Sequence, residues 1–284
     1  NIIMNNILTA IKAIVESPGL KYVRESNNVI QNRANQMGAS FEEYVKDAFA
    51  NCIGKDQITI KKERSETFSY LGRSTTPPDA ILMSSDAIEI KKLESSTSSI
   101  QLNSSYPKNK LHSTNPKICT ACRECEDWDV KDMLYVIGIV NKQVLKSIFF
   151  IYGDLYCDAN EIYDNVEKVI KNRIQTIDGF ELADTNELAR INNIDHLGIT
   201  DLRVRGMWII KSPFNYFEYL TGDQRDSSFK LVALIPEYKY NSFDNVEEFE
   251  KFSEEYGIDI IDDEIEDPQN PANLINVKLI KYYI

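Results

Sequence analysis

Two short, mainly apolar runs constrain this chain most: Ala80–Leu82 and Ala87–Lys91, lying between Pro77-Pro78 and the polar stretch from Glu94, and separated only by Met83-Ser84-Ser85-Asp86. Short apolar runs bounded by prolines and by a Ser/Asp turn predict two adjacent antiparallel strands. In a strand, successive side chains alternate between faces. Ile88 and Ile90 therefore share one face, and Ala87, Glu89 and Lys91 share the other. A turn at Ser84-Ser85 brings Asp79 to the same spot as Glu89 and Lys91, while Asp86, with the parity of Ile88 and Ile90, points away.

The other elements follow from periodicity and breakers. Ile3–Val15 is predicted as an amphipathic helix stopped by Ser17-Pro18-Gly19, and a second helix runs from about Gly38 to Cys52. Residues 24–37 are polar. Gln57–Arg64 and Thr67–Tyr70 have the pattern of strands. A Ser/Asn-rich loop is expected from Glu94 to Asn115, and a strand pair from Met133–Val140 and Lys146–Tyr152 about Asn141-Lys142. Asn160–Ile174 is predicted as a helix with Ile162, Val166, Val169, Ile170 and Ile174 on one face. Leu202–Ile210, Lys230–Ile235 and Asn276–Tyr283 are expected strands, and Val246–Tyr256 an acidic amphipathic helix. Helices and strands alternate without regular βαβ spacing, which predicts a mixed α/β fold with a central mixed sheet. The 284 residues are expected to form a single domain. No apolar run approaches the roughly 20 residues that cross a bilayer, and no signal peptide opens the sequence, so a cytoplasmic protein without membrane contact is expected.

The formal charge is −12, from 44 acidic and 32 basic side chains. At face value it opposes nucleic-acid binding, which needs a basic face. Its distribution removes the objection. Residues 236–268 carry 13 acidic side chains against Lys239 and Lys251, so the rest of the chain, 30 basic against 31 acidic, is nearly neutral. That acidic C-terminal region is expected to face away from DNA.

Two carboxylates at one spot, Asp79 and Glu89, suit Mg²⁺, which prefers hard oxygen ligands and keeps several waters. Such an ion polarises a phosphate and lowers the pKa of a bound water. Lys91 is placed to orient or deprotonate that water and to offset charge on the transition state. A third carboxylate is expected from the second helix: Glu42 lies on the stripe of Gly38, Phe41, Val45, Ala48, Phe49 and Cys52, where an acid is costly unless paired, whereas Glu43 falls among Lys46, Asp47 and Ala50 on the more polar side. No Gly-x-Gly-x-x-Gly motif or P-loop occurs, so no nucleotide cofactor is expected.

Pro78-Asp79 and Glu89-Ile90-Lys91 resemble the PD-(D/E)xK nuclease signature. Longer strings resemble type II restriction endonucleases of the NgoPII-like family: Asn32-Arg33-Ala34-Asn35, Glu42-Glu43-Tyr44, Ser65-Glu66-Thr67-Phe68-Ser69-Tyr70-Leu71-Gly72, Leu102-Asn103-Ser104-Ser105-Tyr106-Pro107-Lys108, Leu134-Tyr135 and Leu202-Arg203-Val204-Arg205-Gly206-Met207-Trp208. The resemblance spans roughly residues 5–284. It implies a restriction-endonuclease-like α/β fold, a homodimer, and Mg²⁺-dependent cutting of double-stranded DNA at GGCC. It makes Asp79 and Glu89 metal ligands and Lys91 the catalytic lysine.

Base reading is expected from Arg203 and Arg205. In a strand the two share a face, and arginine is the commonest reader of guanine. Asn103, Ser104, Ser105, Tyr106, Lys108 and Lys110, just after the catalytic strand, suit phosphate contacts. Cys119, Cys122 and Cys125, with His112 upstream, are candidates for a structural Zn²⁺ site that would need a fourth ligand; reduced thiols are the alternative. Two other functions fit the same residues: a repair nuclease that recognises structure or ends, and an inactive DNA-binding module.

Overall fold

The computed structural model describes residues 4–17, 41–72, 76–102, 105–142, 144–176, 182–185, 187–222 and 227–284. Four helices of nine or more residues lead or flank the strands at first: α1 (Ile7–Val15), α2 (Phe41–Phe49), α3 (Gln57–Thr67) and, later, α4 (Asn160–Gln175); α5 (Val246–Tyr256) follows near the end. The strands are β1 (Phe68–Leu71), β2 (Ala80–Leu82), β3 (Ala87–Leu93), β4 (Ile100–Gln101), β5 (Lys110–His112), β6 (Val130–Asn141), β7 (Val144–Tyr152), β8 (Ala189–Ile191), β9 (Leu202–Val204), β10 (Ile209–Ile210), β11 (Lys230–Pro236), β12 (Asp259–Asp267) and β13 (Asn270–Tyr283).

The main sheet runs β1-β2-β3-β6-β7-β11-β13-β12, with β5 paired to the start of β6. It is mixed: β3–β6 and β7–β11 are parallel, and its other ladders are antiparallel. Neighbouring residues of β7 show how its two faces are covered. The Phe150 ring packs edge-on against Phe49 of α2, at 6.3 Å. The Phe149 ring meets Phe214 at 5.4 Å and Phe217 at 6.2 Å, both from the one-turn helices at 213–221. Adjacent strand residues point oppositely, so α2 lies on one face and these short helices on the other. Gly138 lets α2 sit close, because a Cβ there would meet the Phe41 ring at 2.3 Å. The starts of β3 and β6 are tied by the buried Asp86. Its carboxylate accepts the Tyr152 hydroxyl at 2.7 Å and Lys239 Nζ at 2.6 Å, and Lys239 also bonds Asp132 at 2.6 Å.

Four expectations change. Gln57–Arg64 is helical, not a strand: the Asp56 side chain accepts the Ile58 and Thr59 amides, an N-cap, and its two isoleucines do not share a buried face, since Ile60 packs against the core while Ile58 is 83% exposed. The predicted strand Leu202–Ile210 is interrupted, leaving β9 and β10. The expected loop 94–115 contains β4, which pairs with β10, and β5. Finally, α4 has its polar side inward and its apolar side out. Tyr163 accepts the Asp158 amide, Glu167 pairs with Lys117 at 2.7 Å, and Lys171 donates to the Thr185 carbonyl. Ile162, Val166, Val169 and Ile170 are exposed.

The acidic region forms α5 and β12. The strand ends the sheet, and its row of exposed acids discourages pairing with another chain's edge. It is five strand positions from β3 in the sheet order, a separation of about 24 Å at ~4.8 Å per strand. Residues 24–37 and Gly38 lie outside the described residues.

Candidate active site

The strand pair β2–β3 brings Asp79, Glu89 and Lys91 together as the alternation predicts. Asp79, just before β2, continues the ladder: its amide donates to the Ile88 carbonyl at 3.0 Å. Its Oδ2 accepts the Ile90 amide at 2.6 Å, which fixes the carboxylate against β3. Lys91 Nζ lies 2.6 Å from Glu89 Oε1. Behind Asp79, Gly72 allows a close crossing of backbones. Its amide donates to the Asp79 carbonyl at 2.8 Å, and a Cβ there would meet the Pro78 carbonyl at 2.3 Å. Nothing in the sequence reading singled out Gly72.

The electrostatics belong to a crowded, dry carboxylate pair. Burial, and then the neighbouring Glu89 charge, push the Asp79 carboxyl from 3.8 up to about 7, against the opposing pull of Lys91 and the Ile90 amide. Burial alone would lower the Lys91 ammonium, but the Glu89 and Asp79 carboxylates overcome that and raise it, so the lysine is a cation at neutral pH. Glu89 Oε2 is buried without a hydrogen-bond partner. A buried carboxylate oxygen with no donor is expensive. Two hard oxygen donors, one of them orphaned and both repelling each other, fit a divalent cation.

Glu42 is felt at this site but does not complete a ligand set. Its charge raises both Asp79 and Lys91, and its own partner is Lys46, at 2.5 Å. Among the described residues, no three His, Cys, Asp or Glu side chains are grouped so as to hold a metal. Glu43 turns to α3, where Arg64 holds it at 2.5 Å. Glu43 is exposed, as its place on the more polar side of α2 predicts, although Lys46 and Ala50 on that side are buried.

In the loop after β4, Tyr106 and Lys108 are not on the surface, where the expected phosphate contacts would need them. Tyr106 is buried, its ring stacked on Tyr163 at 5.7 Å and edge-on to Trp208 at 6.2 Å. Lys108 is 2% exposed, donates to Ser105 Oγ and to the Tyr106 carbonyl, and is lowered by burial from 10.5 to about 8. It lies behind Glu89, across a void of about 10 Å³ also lined by Ser105 and Tyr135. Lys110 is engaged by Asp132 and Asp154. Ser105 is half-buried, and Asn103 and Ser104 lie outside the described residues.

Arg203 and Arg205 do share a face and are exposed, but both are held by one acid that sequence reasoning missed. Glu187 accepts Arg203 through both oxygens, at 2.9 and 2.6 Å, and Arg205 at 2.6 Å. Glu187 also lines a cleft of about 540 Å³ that begins at Thr76-Pro77, just before Asp79 in the chain, and runs past Ser105, Lys117 and α4. The arginine segment is fastened to the segment after β3 by β4–β10 and by the Leu102 amide on the Trp208 carbonyl at 2.9 Å.

The cysteines do not form the candidate zinc ligand set and stand as reduced thiols, the alternative reading. Cys119 meets the Tyr70 hydroxyl at 3.2 Å, Cys125 meets Ser69 Oγ at 3.6 Å, and Cys122 is buried in the core. All five cysteines are unpaired thiols. Among the described residues, no helix is long and apolar enough to cross a membrane.

A carboxylate pair and a lysine on one short hairpin, near a cleft lined by Lys117, Lys168 and Lys171 and by Glu187, the partner of Arg203 and Arg205, is an arrangement suited to phosphodiester hydrolysis, and comparison with known proteins agrees. No solved structure matches the chain. Over 280 residues, 98% of this chain and 100% of the relative, the sequence is 41% identical to the type II restriction enzyme NgoPII of Neisseria gonorrhoeae. Residues 5–266 match the NgoPII restriction endonuclease family, and the chain belongs to that family.

Proposed function

We propose that this restriction endonuclease acts as one domain, as a homodimer, and hydrolyses both strands of DNA at GGCC with Mg²⁺ held by Asp79 and Glu89. The observation that carries the chemistry is the meeting of Asp79, Glu89 and Lys91 on β2–β3, with a buried, partnerless oxygen on Glu89. The bound ion would supply Lewis acidity toward the phosphate and the attacking water. The protein supplies the rest. The Ile90 amide fixes Asp79. Lys91, a cation next to both carboxylates, orients water and offsets charge as it builds on the phosphate oxygens. Water oxygen bonds to phosphorus, the bond from phosphorus to the leaving ester oxygen breaks, and that oxygen gains a proton. Arg203 and Arg205, two guanidiniums on one exposed face, suit the two guanines of a GGCC half-site.

The test is cleavage of a mapped plasmid with Mg²⁺ and with EDTA, with the product ends sequenced. A discrete fragment set, lost in EDTA and ending within GGCC, is expected. Fragments ending at another sequence would overturn the specificity. Degradation inward from ends would favour a repair nuclease, and intact plasmid an inactive module.

A further inference from the structure

We infer that α4 is the contact by which two copies of this chain pair, running antiparallel across a two-fold axis. This rests on the endonuclease reading above, which calls for two catalytic sites on one duplex, and it assigns the surface that joins them.

Three observations converge on α4. The helix is attached to its own chain by its polar side, through Tyr163, Glu167 and Lys171, and by Asn160 donating to the Lys110 carbonyl at 3.0 Å. That leaves an outward stripe of Ile162, Val166, Val169 and Ile170, each between 42% and 53% exposed. Scattered exposed apolar residues are ordinary, but a contiguous stripe at helical spacing marks an interaction surface.

The charges select the occupant and its direction. The exposed acid Glu161 is in the first turn, and the exposed base Arg173 is in the last turn. A second α4 laid antiparallel puts the acidic end of each copy beside the basic end of the other, once on each side of the axis. A parallel pair would set like against like. The two-fold contact is self-complementary, as homodimer interfaces must be. Val166 and Val169 lie at its centre, and Arg173 reaches the second copy's Glu161.

The position of α4 fits this use. The other side of the helix, through Asp164, Glu167, Lys168 and Lys171, borders the cleft that runs from Pro77 to Glu187. Pairing through α4 therefore sets the two clefts on either side of the helix pair, each beginning at Thr76-Pro77, two residues before its own Asp79. One duplex lying along both clefts meets one catalytic site per strand.

The test reads mass, without DNA or metal, so its outcome is separate from that of the cleavage assay. Sedimentation of the full chain at micromolar concentration should give about twice 32.6 kDa. Val166→Glu, on an exposed side chain and checked for folding by circular dichroism, should sediment as a monomer. Glu161→Arg and Arg173→Glu should each weaken the dimer by at least roughly tenfold, about 1.4 kcal/mol. The double variant Glu161→Arg/Arg173→Glu should regain most of the loss. A monomeric wild-type chain, or a Val166→Glu protein that stays dimeric, would overturn the surface. A double variant no better than either single one would overturn the antiparallel arrangement.

Discussion

The Asp79 carboxylate accepts the Ile90 amide at 2.6 Å, so the acid from before β2 is welded to the strand that carries Glu89 and Lys91. That bond favours the ionised form, yet burial and the Glu89 charge prevail and hold Asp79 up at about 7. Even with Lys91 beside it, the ionised carboxylate pair is thus destabilising until further positive charge arrives.

Asp79→Asn should separate stability from activity. A carboxyl raised from 3.8 to about 7 binds its proton more tightly in the folded chain than in the unfolded one. Its contribution to stability is therefore full below about pH 4 and is lost as pH rises through about 7. Asparagine keeps an acceptor for the Ile90 amide and removes the charge. The variant should melt several degrees higher than the parent at pH 8 without metal and show little difference at pH 4, while DNA cleavage is abolished. Thermal melts at the two pH values, beside a plasmid assay, check this. A lower melting temperature at pH 8 would contradict the account of the site.

Lys91→Ala should bind and not cut. Lys91 offsets the two carboxylates at rest, and the proposed chemistry uses it against the phosphate. Loss of a positioned group of this kind costs roughly 10²–10⁴-fold in rate. A gel shift with Ca²⁺ and a cleavage time course with Mg²⁺ measure the two properties separately. Near-normal cutting would remove Lys91 from the mechanism.

The hairpin was legible because strand alternation is local geometry: a period of two fixes Glu89 and Lys91 on one face whatever surrounds them. The direction of a face is a different matter. The 3.6-residue period grouped Ile162, Val166, Val169 and Ile170 correctly, but only the ion pair of Glu167 with Lys117, and the other polar anchors, reveal that this group faces outward. Composition failed for Lys108 in a similar way. A stretch of Asn, Ser and Lys suggests a wet loop, and the Tyr106–Tyr163–Trp208 cluster that buries it is assembled from three distant segments. For Gln57–Arg64 the alternating isoleucines suggest a strand, whereas Asp56, just before them, caps the helix that forms.

Lys108→Met tests that burial. A lysine lowered from 10.5 to about 8 is bound to its proton less tightly in the folded chain. Its penalty is present below about pH 8 and disappears as pH rises towards 10.5, so the parent should gain stability across that window. The gain is on the order of 3 kcal/mol at most, and Lys108→Met should abolish it. Urea unfolding at pH 7.5 and pH 10 measures it. The same substitution should leave the salt dependence of DNA binding unchanged. A slope reduced by about one would restore Lys108 as a phosphate contact.

Glu187 gives the last prediction, because one carboxylate holds both candidate base-reading arginines. Arg203 and Arg205 are 53% and 58% exposed, and exposed ion pairs of this kind are weak, typically under about 1 kcal/mol, so a duplex can displace the acid. Arg203→Ala and Arg205→Ala should each cost roughly 1–3 kcal/mol of binding to GGCC and little on random DNA. Glu187→Ala should act in the opposite sense. Removing a negative charge from the edge of the cleft should tighten binding to random DNA and steepen its salt dependence. It should also narrow the gap between specific and nonspecific affinity, since the guanidiniums lose the group that holds them side by side. Titrations of GGCC and scrambled duplexes at several salt concentrations resolve these effects. Arginine variants that weaken both duplexes equally would assign the pair to the phosphate backbone.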